Sequence, residues 1–225
     1  EILRCLVGSE MCIRDRADGV VYYLGNDGVY AFDGSMPVCV SRALGDKRYT
    51  GGVAGGESGR YWLSAVDAAG ETELLVYDTQ KRLWHRQDNT AAVAFARWNG
   101  EMTVLCSDGR LLDTSGTLGT AETGFSWSAE SGDLGLYTPE HKYLSRLELR
   151  LKAAAGSTVK AYVCYDGDNV WEQVGGVSGE AGQTRGAVLQ VRPRRCGHLR
   201  LKLAGDGPCR VYSAAAVYEK GSDGP

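Results

Sequence analysis

Long apolar runs are missing from this chain. No stretch approaches the roughly 20 consecutive apolar residues that a helix needs to cross a bilayer, so no membrane partner is expected. Proline is scarce, 5 in 225 residues, and histidine scarcer, with 3. His85, His141 and His198 stand in neither HExxH nor HxH, no GxSxG elbow occurs, and the cysteines form no CxxC pair. These absences give no catalytic residue, metal site or cofactor to expect, although a nucleophilic triad assembled from distant residues would leave no such local mark. A dominant charge is missing too. The net charge is −3, with 9 basic against 13 acidic residues over 17–120 and 13 against 12 over 121–225. A nucleic-acid footprint needs a larger basic excess on one face.

Glycine is what the chain has in quantity, 31 residues, and without the triplet period of collagen. Tight turns are the expected use. The hydrophobic share of 43% is that of an ordinary globular protein.

Residues 1–16 read EILRCLVGSEMCIRDR. Arg4, Gly8, Ser9 and Glu10 interrupt any signal-peptide core. The run LVGSEMCIRDR resembles a translated sequencing adapter joined to a reading frame, which implies that residues 1–16 are not native and that the true N-terminus is missing. Cys5 and Cys12 are then set aside. The remaining Cys39, Cys106, Cys164, Cys196 and Cys209 are odd in number and widely spaced, as expected of buried reduced thiols.

From residue 17 short apolar runs alternate with Gly/Asp/Asn turns. Val20–Leu24, the turn Gly25-Asn26-Asp27-Gly28 and Val29–Phe32 form a hairpin pattern, and Met102–Cys106, Ser107-Asp108-Gly109 and Arg110–Leu112 repeat it. Asp27 and Asp108 are 81 positions apart, close to two periods of about 40. A second echo ends apolar runs in Asp33, Asp78 and Asp113. Arg60–Val66 and Ala91–Trp98 are further strands, the latter rich in small residues that suit a crowded inner position, with a helix as the alternative. The Gly-dense stretch 51–59 does not match a phosphate-binding loop and reads as a close-packed strand and turn. Residues 17–120 are therefore expected to form a partial β-propeller of two to three blades. The pattern resembles kelch-like or quinoprotein-like propellers.

Residues 114–124 are small and polar and mark a boundary. Beyond them alternation becomes strict. Leu147, Leu149 and Leu151 alternate with Arg146, Glu148, Arg150 and Lys152, and Leu199, Leu201 and Leu203 with Arg200 and Lys202. About seven such runs predict an antiparallel β-sandwich over 121–220, buried on one face of each sheet, with a disordered tail at 221–225. The sandwich is expected to fold alone, and 17–120 to be only partly stable without further blades.

Two groups stand out as candidate sites. Asp166, Asp168, Asn169 and Trp171 lie between two strands, where a turn, a calcium site or a ligand-binding loop are the readings. Arg192, Arg194 and Arg195 cluster as a possible docking point for an acidic protein surface. The tryptophans (Trp62, Trp84, Trp98, Trp127, Trp171) could stack on sugars or pack between sheets.

The strings Leu134–Pro139, Lys142–Leu147, Tyr165-Asp166 with Trp171, Arg192–Leu201, Gly205–Gly207 and Glu219–Asp223 resemble the C-terminal part of uncharacterised structural proteins of tailed phages and prophages of gut Firmicutes. With the blade-like first half, the resemblance implies a virion stabilisation or tail-completion protein. Such a protein would be made in the bacterial cytoplasm and would act through contacts with other virion proteins or with itself. A carbohydrate-binding module or host-surface adhesin is the alternative, with carbohydrate as partner, and a propeller glycoside hydrolase the third reading.

Overall fold

The computed structural model describes residues 14–25, 27–57, 59–114, 124–136, 140–180 and 183–221. The chain divides into two compact units, Glu1–Ala121 and Glu122–Pro225. Apart from one short 3-10 turn at Arg42–Leu44, every regular element described is a strand.

The first unit is a run of three antiparallel meanders. Strands β1 (Arg14–Ala17), β2 (Val20–Gly25), β3 (Gly28–Phe32) and β4 (Val38–Cys39) form the first sheet in chain order. The second contains β5 (Tyr49–Glu57), β6 (Arg60–Asp67), β7 (Thr72–Asp78) and β8 (Leu83–Asp88). The third contains β9 (Ala92–Trp98), β10 (Glu101–Cys106) and β11 (Leu111–Asp113). Consecutive meanders stacked face to face are the blades of a propeller. The opening strands β1, β5 and β9 lie together, with β5 in contact with both others.

The repeat noticed as a double period has its middle member here. Asp27, Asp67 and Asp108 each sit at the turn joining the second and third strands of a blade, at spacings of 40 and 41 residues. Asp67 Oδ1 accepts from the Ala69 and Glu71 amides, both at 2.9 Å, and Asp108 Oδ1 from Arg110 N at 3.0 Å. The middle copy escapes a motif reading because Ala68 and Ala69 separate its Asp from Gly70, so no Asp-Gly pair marks the turn. Asp33, Asp78 and Asp113 likewise stand at the end of the third strand in their blades.

The segment 91–98 is a strand despite its alanines, because pairing with β10 and packing on β5 outweigh helix propensity. The glycines of β5 allow that packing. A Cβ at Gly55 would lie 2.4 Å from Phe95 Cβ. The first thirteen residues lie outside the described ones. Arg14–Arg16, the end of the segment read as non-native, pair with β2, and Asp15 Oδ2 accepts from Gly56 N at 2.7 Å.

Two apolar layers hold the blades. Tyr22, Leu24 and Val29 of the first pack on Tyr61, Leu63, Leu75 and Tyr77 of the second. Trp62, Leu74 and Val76 of the second pack with Met102 and Phe95 of the third. The middle blade is thus buried on both faces. Trp84 closes the first layer, its ring 4.9 Å from Tyr77 and its Nε1 donating to the Val40 carbonyl at 2.8 Å.

The second unit is an antiparallel β-sandwich. One sheet has the order β12 (Ser126–Glu130), β18 (Leu199–Asp206), β14 (Thr158–Tyr165), β15 (Glu172–Ser178). The other centres on β13 (Lys142–Ala153), with β16 (Thr184–Gln190) and the short β17 (Arg195–Cys196) along one side and β19 (Cys209–Lys220) along the other. Leu147, Leu149 and Leu151 face Val159, Ala161, Val163 and Leu199 across the core, as the alternation requires. The seven expected strands are present, with β17 an eighth too short for periodicity to show. Gly221 N donates to the His141 carbonyl at 2.8 Å, and the rest of the expected tail, 222–225, lies outside the described residues, as does most of the expected linker, 115–123. Cys106, Cys164 and Cys196 are buried thiols, and Cys39 and Cys209 are half-buried.

Candidate functional site

The two groups singled out in the sequence meet at one end of the sandwich. The turn from β14 to β15 takes positive φ at Asp166 (48°), Gly167 (72°) and Asn169 (58°). Asn and Asp tolerate this region because their side chains bond locally. Asp166 Oδ1 accepts from the Gly197 and His198 amides, at 2.7 and 3.1 Å. Asp168 Oδ1 accepts from Val170 N at 3.0 Å and from Cys164 Sγ at 3.4 Å. The Val170 amide is the main cause that holds the Asp168 carboxyl below the usual carboxylate range.

Arg194 is the one arginine of its cluster that joins the turn. Its Nη1 lies 2.8 Å from Glu172 Oε1 and its Nη2 3.4 Å from Asp168 Oδ2, and its guanidinium sits 5.1 Å from the centre of the Tyr165 ring. Arg192 and Arg195 are exposed and form no ion pair among the described residues. Arg195 contributes its backbone to β17, opposite Tyr143.

Alternation on β18 brings in residues the motif reading did not assign to the site. Arg200 Nη2 donates to Asn169 Oδ1 at 2.6 Å. The Arg200 guanidinium and Lys202 Nζ each stand 5.3 Å from the centre of the Trp171 ring. Lys202 also pairs with Glu130 at 3.2 Å. His198 lies 3.7 Å from Asp166 Oδ1 and 3.8 Å from Asp133 Oδ1. The fully buried Lys142 fixes the floor, donating to the carbonyls of Gly135 (2.8 Å) and Gly197. The outward positions 200 and 202 were visible as a basic stripe, but nothing local tied them to Trp171 across β14.

Most polar atoms of the cluster are paired within it, but Arg200 Nε is buried without a hydrogen-bond partner, 4.0 Å from Asp133 Oδ1. One oxygen of each carboxylate accepts backbone N–H groups, and the Asn169 oxygen faces a guanidinium rather than open space. A cation seated at Asp166, Asp168 and Asn169 would meet Arg200 at contact distance. No group of three or more His, Cys, Asp or Glu converges to hold a metal among the described residues. Trp171 is half-buried, with two cations at its ring. Of the other tryptophans, Trp62 is buried, Trp84 and Trp127 are half-buried and bonded through Nε1, and Trp98 is 62% exposed on the third blade.

No family model matches the chain, and no curated protein matches it. Several solved structures are similar to it. An exo-β-1,3-galactanase from Phanerochaete chrysosporium, crystallised with galactose, is 9% identical over 88% of this chain and 67% of that one, with a TM-score of 0.28. The infectious bursal disease virus Gx strain structure is 13% identical over 72% of this chain and 44% of that one, with a TM-score of 0.29. A glycoside hydrolase family 43 arabinoxylan arabinofuranohydrolase from Bacillus subtilis, in complex with cellotetraose, is 9% identical over 85% of this chain and 58% of that one, with a TM-score of 0.25. Likenesses at this level assign no activity.

Proposed function

We propose that the chain is a non-enzymatic structural protein of a phage particle that works through protein–protein contacts. The observation that carries this reading is β19, a strand of 12 residues paired with β13 on one side and with no strand on its other side among the described residues. An unpaired ladder is a device for binding polypeptide. The turn at Asp166–Asn169, whose side chains bond to neighbouring amides and to Arg200, supports the same reading. A sugar stacking on Trp171 would have to compete with Arg200 and Lys202, each 5.3 Å from the ring centre. Arg192 and Arg195 remain available to an acidic protein surface.

The decisive experiment is recovery of the intact gene and its neighbours by long-read sequencing of its source. Portal, capsid or tail genes on either side are the expected result. Sugar-utilisation genes alongside would overturn the virion reading and put the carbohydrate-binding alternative first.

A further inference from the structure

We propose that β19 pairs with β19 of a second copy of this chain, antiparallel about a two-fold axis at Ala215. The inference rests on the reading that the chain assembles through protein contacts, and it does not require that the assembly be a virion.

Long edge strands are usually guarded by proline, by a central lysine or by an inward charge. The run Val211–Val217, VYSAAAV, carries none of these, and a bulge, the other common guard, falls at Tyr212 and leaves 213–217 in regular register. It is also exposed, with Val211 at 37% and Tyr212 at 49% of their full accessibility. Charge appears only at the ends, where the terminal Lys220 pairs with Glu140 at 3.0 Å; the charges nearest the run are Arg210 at one end and Glu219 at the other. Both are exposed, and neither forms an ion pair among the described residues.

A two-fold pairing is possible only if each residue meets one that points to the same face. The register against β13 fixes those faces. Tyr218, Ala216, Ala214 and Val211 stand opposite Leu144, Leu147, Leu149 and Leu151, on the core side. Val217, Ala215, Ser213 and Arg210 stand opposite Arg146, Glu148, Arg150 and Lys152, on the outer side. The register slips between Arg150 and Leu151, which leaves Tyr212 as a bulged residue.

With the axis at Ala215 and the bulge kept, Ala214 meets Ala216 of the second copy. Ser213 then meets Val217, Val211 meets Tyr218 and Arg210 meets Glu219. Every pair matches in face. The small residues fall at the centre, an aliphatic–aromatic pair lies farther out, and opposite charges meet at both ends. Backbone direction agrees as well. The Val217 carbonyl accepts from Ser145 Oγ at 2.9 Å, so it points to β13. By alternation Ala216 and Ala214 aim their N–H and C=O groups at the open side, where the two would form a hydrogen-bonded pair. The joined sheet would run β16–β13–β19 from one copy and continue β19–β13–β16 into the other.

The test uses the full chain. Sedimentation velocity over a concentration series should show a monomer–dimer equilibrium. Glu219→Arg should weaken the dimer about tenfold or more, and the exchanged pair Arg210→Glu with Glu219→Arg should restore it. The register is read by oxidation. Ala215→Cys should give a disulfide-linked dimer, because a self-paired position brings two Cα atoms within disulfide reach. Ser213→Cys and Val217→Cys should each link poorly alone and link to one another when mixed. The parent chain, oxidised in parallel, sets the baseline from its own cysteines. A monomer at the highest soluble concentration would overturn the proposal. So would a dimer indifferent to Glu219→Arg, or one in which Ala215→Cys does not link, since either places the contact elsewhere or gives the edge to a different polypeptide. A cross-linked dimer from a gene set among sugar-utilisation genes would uphold this inference while the virion reading fell.

Discussion

The two units bury their strands differently, and their sequences differ accordingly. In the first, the middle blade is covered on both faces. Tyr61, Leu63 and Ala65 of β6 point to one neighbour while Trp62 and Ser64 point to the other, and all five are buried. The run Leu74–Tyr77 is apolar without interruption for the same reason. In the second, each sheet is covered once, so β13 reads as a strict alternation of leucine with charge. Continuous runs therefore mark a strand between two sheets, and alternation marks one at the surface of a sandwich. The third blade of the first unit leaves Val93, Leu105 and Leu111 exposed.

The comparison breaks most directly at the cores. Leu63→Ala and Leu147→Ala each remove a fully buried side chain and should cost about 3 kcal/mol. If the units are separate cores, the first change lowers the unfolding midpoint of the first unit alone, and the second that of the sandwich alone. Calorimetry with two resolved transitions checks this, and a single transition shifted equally by both would refute it.

A glycine in the first unit should matter almost as much. Gly55→Val sets a branched side chain against Phe95, with its Cβ 2.4 Å from the Phe95 Cβ, and overpacking of that kind costs about 2–3 kcal/mol. Gly186→Val in the sandwich, with nothing within 4 Å of its Cβ, should be tolerated. Denaturant midpoints of the two variants give the contrast.

The charged network of the second blade comes next. Glu73 accepts from Tyr49 Oη at 3.0 Å and pairs with Lys47 (3.0 Å) and Arg86 (3.1 Å). Burial alone would raise its pKa, but Lys47 and the Tyr49 hydroxyl outweigh that and hold it below the usual range. A depressed carboxyl stabilises the fold above its unfolded pKa and loses that contribution as pH falls through its folded value. Glu73→Gln should cost about 2 kcal/mol at neutral pH. The gap from the parent should narrow as pH falls below the ordinary glutamate range and close as it falls through the lower folded value. Chemical denaturation across pH follows it, and a gap that persists in acid would be contrary.

The smallest expected effect is at the sandwich end. Trp171→Ala removes a ring that lies near the Arg200 and Lys202 cations and should cost about 1 kcal/mol or less, since these groups are partly solvated. A loss of several kcal/mol would mean that Trp171 belongs to the core.

Much of the first unit was legible because turn chemistry repeats. Asp27 and Asp108 announced the blade period, whereas Asp67 was masked because two alanines separate it from its turn glycine, Gly70. The sandwich was legible from alternation alone. The candidate site was half legible. The turn residues and Arg194 were noticed separately, but their meeting depends on β14, β15 and β17 coming together, which no local spacing encodes. Arg200 and Lys202 read as a solvated stripe because their neighbour across the sheet, Trp171, is some 30 positions away in sequence. The open edge at β19 had no sequence signal, since a paired strand and an edge strand carry the same pattern until the sheet order is known.

One measurement separates assembly through β19 from ligand binding at the turn: hydrogen exchange of the intact chain, dilute and concentrated, with and without a panel of oligosaccharides. The account predicts amides of residues 209–220 gaining protection with concentration while those of 166–171 stay unchanged by any sugar. Protection of 166–171 by an oligosaccharide, with 209–220 indifferent to concentration, would contradict it.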